Sequence, residues 1–183
     1  VAELRGKRSE AERLFQLAIE MNQQYVVNDQ RATGKALQEL IRPAHAGPMV
    51  ALAKMKMDDG AVPAAMALFE RALEIAPDNV LALTGMGEAL RQQGRREQAL
   101  ELQQRALEIA PESIPVRVNL GSALADNNDP ESALRLWLSV IRDQPANADA
   151  ANNIGLLLTA MNQHDDAIKM FERALKARPD FAL

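Results

Sequence analysis

The chain alternates between two kinds of amphipathic segment. In residues 62–76, Ala65, Phe69 and Ala72 stand four and then three positions apart, which places them on one face of an α-helix. The same face returns as Ala99, Gln103 and Ala106, as Ala133, Trp137 and Val140, and as Ala167, Phe171 and Ala174. Ahead of each lies a segment in which an apolar residue precedes a small one: Leu52-Ala53, Met86-Gly87, Leu120-Gly121 and Ile154-Gly155. Turn formers separate the two kinds at Asp59-Gly60, Gly94, Asn127-Asn128-Asp129 and Asn162-Gln163-His164. Four helix pairs are predicted. First helices fall at 46–58, 80–93, 114–127 and 148–161, and second helices at 62–76, 96–110, 130–143 and 165–177.

Every one of these slots advances by 34 residues. Pro43, Pro77, Pro111, Pro145 and Pro179 keep the same step, and the text before them repeats as LFERALEIAPDN, LQQRALEIAPES and MFERALKARPDF, with a worn copy LWLSVIRDQPAN. Small residues allow antiparallel helices to approach closely, and the bulky slot is expected to fill the gap against the next helix. Each proline follows a last turn and stops the helix. Pro63 and Pro130 sit near a first turn, where a missing N–H costs nothing.

This pattern resembles the tetratricopeptide repeat family over residues 46–181. The resemblance implies an all-α fold, a right-handed superhelical α-solenoid of antiparallel helix pairs. Repeats are expected at 46–79, 80–113, 114–147 and 148–181, after an irregular helical unit at 1–45. Arg117, Ala151, Met49 and Leu83 stand where the family often has a large aromatic. Lys56 replaces an aromatic or Leu, and Gln103 a bulky residue, which is expected to weaken individual contacts.

Composition agrees with a helical chain. Of 183 residues, 32 are Ala and 24 are Leu, whereas Phe, Trp and Tyr together number six, so a β-sandwich or barrel is excluded. Cysteine is absent, which removes disulfides, zinc–thiolate sites and thiol catalysis. Net charge is −4 without any basic block, so nucleic acid is not an expected partner. No run of 18 apolar residues exists to span a bilayer. A cytoplasmic location is expected, with the periplasm open.

The two ends depart from the period. Ala11, Phe15 and Ala18 repeat the second-helix signature at an offset of 54, so helices are expected at 8–24 and 29–42, as a degenerate capping unit, with His45 in a linker. Asp180-Phe181-Ala182-Leu183 reads as the start of another first helix. The last pair then leaves an apolar face open, and either the natural protein continues or that face self-associates.

The resemblance implies binding on the concave side, lined by first helices, of a peptide or partner protein. Ala51, Gly85, Asn119 and Asn153 share one stripe there. The two asparagines resemble the asparagine ladder of O-linked N-acetylglucosamine transferase, where amides hold a peptide main chain. An amide donates and accepts at once, so it grips backbone whatever the side chains. Asn152, Lys54, Glu88 and Arg91 neighbour the stripe. Val50, Lys54, Gly85, Pro115 and Asn119 occupy the slots of the family's chaperone-binding carboxylate clamp without its residues, so an acidic chaperone tail is not the expected ligand.

Catalytic chemistry is not expected of this chain, nor a cofactor or metal. Its two histidines, His45 and His164, assemble no nucleophile–base set. Asp165 and Asp166 beside His164 suit helix capping and the first-turn dipole better than a metal. Gly85-Met86-Gly87 lacks the third glycine of a dinucleotide fingerprint, and Gly34-Lys35 lacks the upstream glycine of a phosphate loop. The expected function is a protein-interaction scaffold. The alternatives are the recognition arm of a larger enzyme, a transferase or hydroxylase, and a self-assembling scaffold.

Overall fold

The computed structural model describes residues 2–29 and 35–179, without the side chains of 2–5, 23–29 and 35–44. The described residues form helices only: α1 (Ala2–Asp29), α2 (Lys35–Asp58), α3 (Val62–Ile75), α4 (Val80–Gln92), α5 (Arg96–Ile109), α6 (Ile114–Asp126), α7 (Pro130–Asp143), α8 (Ala148–Ala160) and α9 (His164–Ala177). Val80, Ile114 and Ala148 open first helices, and Val62, Arg96, Pro130 and His164 open second helices. Both series advance by the predicted 34 residues. The further first helix expected from Asp180, and Gly34 with its neighbours, lie outside the described residues.

The turns inside the pairs are built alike. Gly60, Gly94, Asn128 and Asn162 take φ of 73°, 72°, 61° and 59°. At each, the next residue's N–H reaches back to a carbonyl of the last helical turn: Ala61 to Lys56, Arg95 to Leu90, Asp129 to Leu124 and Gln163 to Leu158, at 2.8–2.9 Å. This is the paired-bond helix ending that needs a left-handed residue, and Gly and Asn are the residues that adopt one cheaply.

Pro43 does not stop its helix. α2 runs from Lys35 through Pro43 and Pro48 to Asp58, so the expected helix ending at 42 and the linker holding His45 are replaced by one continuous helix. Proline removes a single helical hydrogen bond. Before Pro77, Pro111, Pro145 and Pro179 the helix does end: Ala76, Ala110, Gln144 and Arg178 take φ of −130°, −133°, −131° and −143°, leaving the helical region as a following proline favours. After Pro77 and Pro145 an asparagine two positions on opens the next helix. Asn79 Oδ1 accepts from Ala82 N–H at 3.0 Å, and Asn147 Oδ1 from Ala150 N–H at 2.9 Å, each starting a new helix. Pro43 is followed by Ala44-His45-Ala46, which carries no such signal. α1 is likewise longer than expected. At α9, Asp165 and Asp166 lie in the first turn and serve its dipole, but the capping position is Gln163, whose side chain makes no capping bond.

The chain divides into two compact units, residues 1–89 and 90–183. In the first, α1 lies against α2 through Ile19, which is fully buried, and through two ion pairs. Lys56 meets Glu12 at 3.2 Å, and Arg8 meets Asp59 at 2.7 Å while also donating to the Met55 carbonyl. The lysine that replaces an apolar residue has thus acquired a carboxylate. Phe69 on α3 is fully buried against Gly85 on α4, where a Cβ would fall inside its ring.

In the second unit, Val118, Ala133, Trp137, Val140, Ile154 and Ala174 belong to one core. Trp137 lies on Gly121 and Phe171 on Gly155, again where a Cβ would strike the ring. Bulky residues were expected to fill the gap against the next helix. Phe69 does so; Trp137 and Phe171 sit on the glycine of their own pair, and Trp137 also shares a core with Ala148, Ala150, Ala151 and Ile154 of the next helix. Arg117 fills a usual aromatic slot on α6. It is buried, and its Nη1 donates to Asp143 at 2.7 Å and Ser139 at 3.1 Å on α7. The bond from Arg117 holds the Asp143 carboxyl below the usual aspartate range.

Candidate partner-binding face

The predicted site residues fall into two groups. Lys54, exposed on α2, and Glu88, half-buried on α4, belong to the first unit; Ala51 and Gly85 of the expected stripe are there too, and Gly85 is occupied by the Phe69 ring. The second unit holds the rest. Asn119 is half-buried on α6, and Asn152 and Asn153 are half-buried on α8. Arg91, in the last turn of α4, pairs with Asp126 at the end of α6 at 2.7 Å, with about two thirds of each side chain covered (31% and 34% exposed).

One short network orients the asparagine of α8. Asn153 Nδ2 donates to Ser122 Oγ on α6 at 3.3 Å, and Ser122 Oγ donates to the Val118 carbonyl at 3.3 Å. That carbonyl also accepts the Trp137 indole N–H at 3.0 Å. The amide of Asn153 is therefore held by α6 and, through one carbonyl, by the core tryptophan of α7. A side chain already fixed loses little rotamer freedom when it meets a ligand. Ser122 is not singled out by the sequence. A serine inside a helix usually bonds the carbonyl four residues back, and nothing in the residues around it signals that it also takes an amide from a neighbouring helix.

No group of three His, Cys, Asp or Glu able to hold a metal ion occurs among the described residues, and no described helix is long and apolar enough to cross a membrane. The shifted groups are structural. The Asp129 carboxyl is lowered by the side chain and backbone N–H of Ser132, which it caps at 3.1 Å, and the Lys169 ammonium is raised by Asp166.

Comparisons with known proteins agree with this architecture. One tetratricopeptide repeat model matches residues 56–112 and another matches residues 118–182. No curated protein matches the sequence. Among solved structures, a thermophilic TPR protein from Thermus thermophilus is 18% identical with a TM-score of 0.67, covering 91% of this chain and 92% of that one. A crystal structure of MamA is 19% identical with a TM-score of 0.63, covering 90% and 89%. MamA 41-end from Desulfovibrio magneticus RS-1 is 15% identical with a TM-score of 0.62, covering 94% and 98%. At such identities the likeness speaks for the fold, an all-α solenoid. With two repeat models spanning most of the chain and helices that keep the 34-residue step, the chain belongs to the tetratricopeptide repeat family.

Proposed function

We propose that this protein-interaction scaffold binds an extended peptide segment of a partner protein along the first helices of its second unit, α6 and α8. The observation that carries the reading is the Asn153–Ser122 bond. It joins two successive first helices through polar side chains that stay half-exposed, with Asn119 and Asn152 on the same helices. Carboxamides there meet the alternating N–H and C=O groups of an extended chain, so affinity comes from the peptide main chain and tolerates varied side chains. Leu156 on α8, 56% exposed, supplies an apolar contact beside them. The Arg91–Asp126 pair is polar but self-satisfied, and it bounds the site rather than adding net charge. A protein ligand suits this face better than nucleic acid, because phosphate binding needs clustered cations.

The test is a selection of random extended peptides on the immobilised chain, followed by titration of a selected peptide. Asn119→Ala with Asn153→Ala is expected to weaken binding at least tenfold while the melting temperature stays nearly unchanged. Unaltered affinity in the double variant contradicts the reading.

A further inference from the structure

The hydrogen bonds beneath Asn153 have a polarity. Ser122 Oγ donates its one hydrogen to the Val118 carbonyl, four residues back on α6, at 3.3 Å. That is the usual bond of a serine inside a helix, and Thr159 makes the same one to the Gly155 carbonyl on α8 at 2.9 Å. The Val118 carbonyl is itself held by the Trp137 indole N–H at 3.0 Å. With its hydrogen committed, Ser122 Oγ faces Asn153 as an acceptor only, and Asn153 Nδ2 donates to it at 3.3 Å. Turning the amide over would bring Oδ1, which has no hydrogen, against that oxygen. Ser122 would then have to leave Val118 to donate to Oδ1, so one bond would replace two. Both bonds are long for their type, and the loss of one favours the observed orientation by about three- to tenfold.

With Nδ2 turned to Ser122, Oδ1 is the atom that Asn153 offers to a ligand. It accepts no hydrogen bond among the described residues and is not sealed away from solvent. The slot is open within the array and not only at its end: Asn119, one step earlier, lies on a helix with α8 beside it and is half-buried just as Asn153 is. We propose that Ser122 is a positioning residue of the peptide site. It makes Asn153 an acceptor, so the partner group lying against Asn153 is a main-chain N–H and not a carbonyl. The inference rests on the peptide-binding reading above and adds to it the sense of one contact. It also gives a side-chain-tolerant face one point of selection. A peptide with proline at that position has no N–H to offer and is rejected.

Amide-to-ester replacement along a peptide selected on the immobilised chain, one position at a time, tests this, because an ester keeps the chain's shape and lacks the N–H. One position is expected to lose about tenfold in affinity on the parent chain and nothing on Asn153→Ala. Proline at that position is expected to lose at least as much. Asn153→Asp keeps an acceptor and has no donor, and is expected to bind the unmodified peptide no more than about threefold more weakly, with the ester penalty retained. Ser122→Ala frees the amide to turn, so the penalty is expected to fall to about threefold or less while the melting temperature stays nearly unchanged. Ser122→Thr retains the hydroxyl and is expected to restore the penalty. A tenfold loss in Asn153→Asp means that Asn153 donates to a partner carbonyl, and it overturns the proposal while the peptide site stands. So does an ester scan with no position coupled to Asn153, or a penalty that Ser122→Ala leaves unchanged. A chain that selects no peptide fails the peptide-binding reading, and this inference with it.

Discussion

Trp137 ties α7 to α6 through a ring laid on Gly121 and an indole N–H on the Val118 carbonyl, whereas α1 is tied to α2 through Ile19 and two solvent-lapped ion pairs. The first pair keeps the 34-residue step and the second does not. Where the step holds, a bulky residue finds a small one on a neighbouring helix, and burial sets the geometry. Where it lapses, Arg8, Glu12, Lys56 and Asp59 take over, and exposed charges hold helices together weakly. Periodicity is thus a way of guaranteeing steric fit, and charge is what remains when fit cannot be guaranteed.

Substitutions at the two ends of this contrast differ most. Trp137→Ala leaves an empty seat on Gly121 and an unpaired share of the Val118 carbonyl, and is expected to cost about 3–5 kcal/mol, read from chemical denaturation. Asn128→Val forces a β-branched residue to a φ of 61° and is expected to cost about 1–2 kcal/mol. Asn128→Gly, which restores the residue found at 60 and 94, stays near the parent. At the weak end, Arg8→Ala and Lys56→Met are each expected to cost about 0–1 kcal/mol. A cost for either that approached that of Trp137→Ala would erase the contrast.

Acid offers a finer cut within the periodic pair. The Asp143 carboxyl is held below its ordinary value by Arg117. Its contribution is therefore complete above the unfolded aspartate value of about 4 and is lost as pH falls through the lower folded value. Lowering pH from about 5 to about 2 is expected to destabilise the parent. Arg117→Met, which fills the slot with an apolar chain and removes the cause of the shift, is expected to flatten that part of the profile. An Asp143 titration by NMR unchanged in Arg117→Met would contradict this.

The helix pairs are legible in the sequence because their signals are local and repeated. An αL residue every 34 positions and an asparagine after Pro77 and Pro145 act within a few bonds. Pro43 misleads for the same reason. It keeps the step, but the alanines after it lack the asparagine that opens a new helix after Pro77 and Pro145. The direction of the bulky slot is not legible, since Phe69 on Gly85 and Trp137 on Gly121 are both small–large matches and sequence does not choose between neighbours. The asparagine stripe is visible as two amides in step. Its support from Ser122 is not, because that bond crosses 31 residues and depends on how closely α6 and α8 lie.

The reading of function turns on a partner peptide lying along the polar first-helix face of the second unit. Backbone amide shifts recorded by NMR during titration with a selected peptide test it most directly. The largest changes are predicted at Asn119, Ser122, Asn152 and Asn153, with α1 and the α1-facing side of α2 unmoved. Changes centred on α9 or on α1, with Asn119 and Asn153 silent, would contradict it.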